Sequence, residues 1–186
     1  MNGRRGILLA AAMALAGCGH GGAGTGAATA AAAAPSAGWP QIPLADLDGR
    51  PVTLAGLTAG RPALVNLWAP WCERCKTELP SLDRLSRRLD GCAVIVGVAV
   101  GEDVSTTAAF VRERGLAYPQ LVDEGFHLAD ALRQSRVPTT LVIDGAGAIV
   151  HLGQAVDEAA VGALESALAR ADAAGHCKGG RAAGSG

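Results

Sequence analysis

The sequence predicts an α/β fold, a central mixed β-sheet flanked by helices and entered through an N-terminal β-hairpin. Three observations predict it. Short, near-continuous apolar runs at 63–68, 92–100 and 139–143 have the length and branched-residue content of buried strands. Between them, apolar residues recur at steps of three and four, the period of a helix with one face on a core. Asp48-Gly49 and Asp144-Gly145 are turn dipeptides, each set between two strand-like runs.

The 186 residues suit one domain and a targeting segment. Arg4 and Arg5 precede an apolar run from Gly6 to Ala16, shorter than the roughly 20 residues a membrane-spanning helix needs. The run ends in Leu15-Ala16-Gly17-Cys18, which resembles a bacterial lipoprotein cleavage box. Residues 1–17 are therefore expected to be a signal peptide, with Cys18 as the lipidated first residue of the mature chain. An ordinary secretory signal is the alternative. Residues 18–38 are nearly all Gly, Ala, Thr and Ser, a flexible tether of roughly 25 Å root-mean-square span. Losing Arg4 and Arg5 leaves a chain with more acids than bases and no basic stripe, which argues against nucleic acid as a partner.

The folded domain is expected over residues 39–173. Ile42–Leu47 and Pro51–Leu54 form the hairpin, and Ala63–Trp68 follows as a buried strand. A helix runs from Glu73 to Leu89, with Cys75, Leu79, Leu82, Leu85 and Leu89 inward and a kink expected at Pro80. Cys92–Val100 is a central strand. Ser105 is read as the cap of a helix that Gly115 ends. A short strand at Gln120–Val122 and a short helix at His127–Gln134 come next. Thr139–Ile143 and Ala148–Leu152 pair as a hairpin. Asp157 caps a last helix to about Asp172, with Val161, Leu164 and Leu168 inward. Residues 174–186 are Gly-rich and read as a flexible tail.

Cys72-Glu73-Arg74-Cys75 falls where a strand hands over to a helix. Free N–H groups and the helix dipole stabilise a thiolate on a cysteine at that position. Cys72 is thus the candidate nucleophile. Cys75, one turn on, is the candidate resolving thiol that breaks a mixed disulfide. A pair of this spacing is also half of a zinc site, but His20, His127, His151 and His176 are scattered, so no metal is expected. Trp68 and Trp71 read as packing and as a substrate platform, and Trp39 as packing at the domain edge.

The run Leu67-Trp68-Ala69-Pro70-Trp71-Cys72-Glu73-Arg74-Cys75 closely resembles the active-site segment of the thioredoxin superfamily, and Val137-Pro138-Thr139-Thr140 resembles its cis-proline loop. With the export signal, the closest resemblance is to the TlpA/ResA-like branch, over about residues 39–172. That resemblance implies a thioredoxin-like fold and an extracytoplasmic thiol–disulfide oxidoreductase without a bound cofactor. It implies disulfide-containing substrate proteins, apocytochrome c or metal-site assembly factors among them, and electrons from a membrane thiol reductant. It also implies a cis Val137–Pro138 bond, with the Val137 backbone beside Cys72 where a substrate chain can pair.

The match to thioredoxin itself breaks at one place. Where thioredoxin buries an aspartate, six residues before the first cysteine, this chain has Asn66, which cannot take a proton. Glu78, three residues after Cys75 on the same apolar helix face, is the expected proton acceptor for the resolving thiol, with a raised pKa. The related branch carries a glutamate at that offset. Glu102, past the end of a strand, is a second candidate acid. With no histidine between the cysteines, the reducing direction is favoured over the oxidising one.

Outside the cytoplasm, Cys92 and Cys177 have the opportunity to form a structural disulfide, since the strand from Cys92 starts at the end where the last helix finishes. Two separate thiols are the alternative. Competing functions are a copper or metal chaperone on the same fold, and a lipoprotein that only binds a partner. A peroxidase of the peroxiredoxin type needs Thr or Ser three residues before its reactive cysteine, where this chain has Ala69.

Overall fold

Strands β1 (Leu44–Asp46), β2 (Pro51–Val52), β3 (Ala63–Trp68), β4 (Val94–Val100), β5 (Gln120–Asp123), β6 (Thr139–Ile143) and β7 (Ile149–Gly153) make one sheet in the order β2-β1-β5-β4-β3-β6-β7. The computed structural model describes residues 35–89, 91–173 and 175. The expected signal peptide, Cys18, most of the expected tether, and Cys177 with the expected tail lie outside the described residues. The centre of the sheet is parallel, β3 beside β4 and β4 beside β5, while β6, β7, β1 and β2 join antiparallel. The mixed sheet, its N-terminal hairpin and its helical flanks agree with the α/β expectation.

Alternation along β3 and β4 explains why both runs are apolar except at Asn66, whose amide N–H donates to the Thr140 hydroxyl. Ala63, Val65 and Leu67 with Val94, Val96 and Val98 belong to one core. Leu64 and Trp68 with Ile95 and Ala99 belong to the other. A strand covered on both faces leaves no side for polar residues. The first core is closed by Trp39, by Leu54 of a short helix α1 (Leu54–Thr58) and by Leu128 and Ala129 of α4 (His127–Ala131). The second is closed by α2 (Glu73–Arg88), α3 (Val104–Arg114) and α5 (Glu158–Ala173). On α2, Cys75, Leu79, Leu82 and Leu85 are buried, as the stripe requires, and each fully buried leucine contributes about 1.5–3 kcal/mol. Among the described residues no helix is long and apolar enough to cross a membrane.

Several local expectations are corrected. Leu54 opens α1 instead of ending a strand, because Thr53 caps that helix by accepting the Gly56 N–H. Asp103, not Ser105, caps α3: its carboxylate accepts the Thr106 N–H at 2.9 Å, and Ser105 donates to it. Helix α4 stops at Ala131, short of Gln134, because Arg133 turns left-handed (φ 55°). Ala160, Leu164 and Ala167 form the inward stripe of α5, with Val161 and Leu168 only half-buried. As expected, Pro80 falls inside α2, which runs from Glu73 to Arg88.

Asp83 breaks the apolar face of α2, and its role was hidden in the sequence. One carboxylate oxygen accepts the Ala117 N–H (2.8 Å) and the other takes two bonds from Arg87 (3.1 and 2.6 Å). It thereby ties α2 to the chain entering β5. The Ala117 N–H and Arg87 hold its carboxyl below the usual range. Asp83→Ala leaves the Ala117 N–H without its partner and is expected to cost about 1–3 kcal/mol, seen as a lower Tm at neutral pH. A depressed carboxyl stabilises the fold above its unfolded pKa, and that contribution is lost as pH falls through the folded value. The wild-type advantage over the variant should therefore shrink on acidification.

Candidate active site

Strand β3 delivers the chain to Ala69, and the turn closed by the Cys72 N–H on the Ala69 carbonyl (3.0 Å) sets Cys72 at the N-cap of α2. Its sulfur accepts the Cys75 N–H at 3.1 Å. The end of a helix leaves such N–H groups unpaired, so a sulfur placed there gains both the hydrogen bond and the positive end of the helix dipole. Cys72 and Cys75 are joined as a disulfide, their Cα atoms 5.3 Å apart. Cys72 keeps 7% of its surface exposed and Cys75 none. An incoming sulfur therefore reaches the pair from the Cys72 side.

Glu78 sits one turn beyond Cys75 with its side chain 14% exposed, 3.7 Å from the Arg74 guanidinium. Burial pushes its carboxyl above the usual range, and Arg74 with the Val156 N–H only partly offsets this. One carboxylate oxygen is buried without a hydrogen-bond partner. Asn66, in β3 beneath the site, is fully buried and donates to the Thr140 hydroxyl at 3.1 Å. Glu102 is half-buried just after β4 and is not among the residues lining the cavity beside Cys72. Glu73 in the dipeptide pairs with Lys76 at 2.6 Å.

The Val137–Pro138 peptide bond is cis and opens β6. Val137 packs against the core cluster that contains Cys72 and Cys75. Trp68 is buried, its indole N–H donating to Gln120 (3.1 Å), whereas Trp71 is 66% exposed. A cavity of about 520 Å³ opens here, at the carboxyl ends of β3 and β4, where open α/β sheets bind ligands. Its lining includes buried Leu67, Val100 and Ala129, exposed Trp71 and Phe126, and Val137–Pro138. The structure thus brings Trp71, Val137 and Pro138 together around one opening, which is also lined by Arg74, so that lining residues bracket Cys72 in the chain.

Phe126, Arg136 and Asp130 also line this cavity, and Arg74 does so from the dipeptide. Sequence reasoning missed Phe126 because an isolated aromatic before a short helix carries no periodic signal. Its backbone is left-handed (φ 61°). Cys92 is disulfide-bonded, and Cys177, the partner expected for it, lies outside the described residues. Among the described residues no group of three His, Cys, Asp or Glu side chains is placed to hold a metal ion.

A cysteine pair at the head of the long helix that follows β3, faced by a cis-proline loop on a mixed sheet, defines a protein of the thioredoxin-like class. Residues 34–152 match the AhpC/TSA family, and the chain belongs to that family. It is 32% identical to the thiol-disulfide oxidoreductase ResA of Bacillus subtilis, over 61% of this chain and 63% of that protein. It is 38% identical to the thiol:disulfide interchange protein HelX of Rhodobacter capsulatus, over 54% of this chain and 56% of that one. The matched stretch thus spans less than two thirds of either relative. Among solved structures, a thiol:disulfide interchange protein of the thioredoxin family from Chlorobium tepidum superposes with a TM-score of 0.59 at 25% identity, covering 73% of this chain and 94% of that one.

Proposed function

We propose that the chain is an extracytoplasmic, membrane-anchored thiol–disulfide oxidoreductase that reduces disulfides in substrate proteins, such as apocytochrome c or metal-site assembly factors. The observation that carries this reading is the Cys72–Cys75 disulfide, with the Cys72 sulfur at the N-cap of α2 accepting the Cys75 N–H. In the dithiol form, the Cys72 thiolate attacks a substrate disulfide and the first substrate sulfur leaves as a thiolate. Cys75, deprotonated with Glu78 as proton acceptor, then attacks the Cys72 sulfur and releases the second substrate thiolate. Two electrons pass from the pair to the substrate, leaving Cys72–Cys75 oxidised for a membrane thiol reductant to reduce again. The chemistry needs no bound cofactor.

The anchoring rests on the sequence: the basic start, the apolar run and Cys18. The reducing direction rests on the Glu73-Arg74 dipeptide, which lacks the histidine that would stabilise the thiolate further. A bridge between Cys92 and Cys177 completes the reading, with the exported chain holding one structural and one exchanging disulfide.

The test is the potential of the pair in the full chain. The protein is equilibrated in graded dithiothreitol, alkylated, and the peptide containing Cys72 and Cys75 is weighed. A value near or below about −270 mV supports reduction, whereas one near about −120 mV reverses the direction. The absence of a reversible two-thiol transition overturns the redox reading.

A further inference from the structure

We infer that the cavity beside Cys72 takes an extended substrate segment with a bulky apolar side chain next to the cysteine under attack, and that Phe126 selects that side chain. The inference rests on the reading of Cys72–Cys75 as a dithiol that acts on proteins.

Phe126 occupies a position that geometry would give to glycine. Its φ of 61° lies in the left-handed region, which a bulky residue adopts rarely. The ring is nevertheless 50% exposed, so burial in the core does not explain it. The surroundings fix where it points. Its N–H is bonded to the Asp123 carbonyl (3.2 Å), and its own carbonyl accepts the Asp130 N–H (2.8 Å). The carboxylate of buried Asp123 accepts two N–H groups of the first turn of α4, from Leu128 and Ala129, at 3.0 Å each. Gly101, at the end of β4, lies directly under the ring: a Cβ there would come within 2.3 Å of it. A strained aromatic, held by two hydrogen bonds of its own backbone and seated on a glycine, lines the cavity while half its surface stays exposed.

Trp71, 66% exposed, lines the same cavity, together with the aliphatic side chains of Leu67, Val100, Ala129 and Val137. Such walls favour an apolar side chain over a polar one, because the contact removes apolar surface on both partners from water. The charged residues on this lining are Arg74, Arg136 and Asp130, an excess of positive charge. The Arg136 guanidinium makes no ion pair or hydrogen bond among the described residues, and Arg74 is 63% exposed. An acidic residue flanking the apolar one therefore finds a complementary partner. An extended segment is the occupant that this charge pattern and the adjacent Cys72 call for together. It places its cysteine at the sulfur and successive side chains along the opening.

The test uses the full chain, reduced with dithiothreitol and desalted, and peptides whose single cysteine is joined by a disulfide to 2-nitro-5-thiobenzoate. Cys72 thiolate attacks the peptide sulfur and expels the coloured thiolate. Cys75 then displaces the peptide thiolate, so one dithiol is oxidised for each peptide disulfide reduced. Peptides with Leu or Ser beside the cysteine are compared, and hydroxyethyl disulfide reports exchange without a peptide. Wild type should prefer the Leu peptide by roughly tenfold. Phe126→Gly suits the left-handed backbone, so it keeps the fold, and it should bring that ratio close to one. Phe126→Leu should keep most of it. Arg136→Glu should turn a preference for Asp over Lys at the flanking position toward Lys. Equal rates for Leu and Ser peptides in wild type, or a ratio unchanged by Phe126→Gly, overturn the inference while hydroxyethyl disulfide is still reduced. Dimerisation that Phe126→Gly abolishes would make a second copy of the chain the occupant and also overturn it. Failure to reduce even hydroxyethyl disulfide removes the dithiol reading beneath it.

Discussion

Cys72→Ser is expected to abolish disulfide reduction, a loss on the order of 10³-fold or more, because the covalent route begins at that sulfur. A hydroxyl at the N-cap still accepts the Cys75 N–H, so the helix should fold as before. Cys75→Ser behaves differently. On the proposed mechanism the fully buried Cys75 takes no part in the first attack, so the variant should still react with a substrate disulfide but then stall. The mixed disulfide on Cys72 should accumulate and be visible by intact mass or on a non-reducing gel. The pair of variants separates three possibilities. Trapping only in Cys75→Ser assigns the roles as proposed. Trapping only in Cys72→Ser exchanges them. Unimpaired reduction by Cys72→Ser would mean that the fold serves binding alone, and the proposed enzyme would fall.

How much of this was legible in the sequence depends on whether a local residue type betrays the local geometry. Two helix ends make the point. Helix α3 ends with the Gly115 N–H on the Arg112 carbonyl and the Leu116 N–H on the Val111 carbonyl, a glycine-capped turn. Helix α4 ends with the same pattern, Arg133 onto Asp130 and Gln134 onto Ala129, but with arginine in the left-handed position. The first end was readable from its glycine and the second was overrun by three residues. The same blindness hid Phe126. The central strands, by contrast, were legible because burial on both faces forces a near-continuous apolar run, interrupted in β3 only by Asn66. The cysteine pair was legible because its spacing and its place after a strand are themselves the chemistry. The cavity was not, since its walls come from the segments after β3, β4 and β5 and from the approach to β6, far apart in the chain. Asp83 was missed for a related reason: its partner, the Ala117 N–H, lies on another element, and no pattern within α2 announces it.

Glu78→Gln should slow the second chemical step while leaving the first nearly unchanged. On the proposed mechanism Cys75 must lose its proton before it can attack, and the buried polar group of β3, Asn66, cannot take that proton up. Glu78 lies one turn along the same helix face, desolvated enough that its carboxyl sits above the ordinary range and closer to the working pH. An acceptor tuned in this direction contributes about 10²–10⁴-fold in general acid–base catalysis. The measurement is the decay of a preformed mixed disulfide on Cys72 across pH. Wild-type decay should rise through a limb set by Glu78, at a pH above the usual carboxylate range. In Glu78→Gln that limb should vanish, and the rate should instead climb only as solution hydroxide deprotonates Cys75. Stability should move the opposite way. A carboxyl raised by folding favours the folded state while it is protonated, below its unfolded pKa, and that advantage is lost as pH rises through the folded value. At neutral pH the ionised Glu78 is therefore a burden, only partly relieved by Arg74 at 3.7 Å. Glutamine removes the burden, so the variant should melt higher than wild type at pH 7 while resolving more slowly. A faster-melting variant with unchanged decay of the mixed disulfide would make Glu78 a structural residue and leave the deprotonation of Cys75 to another group.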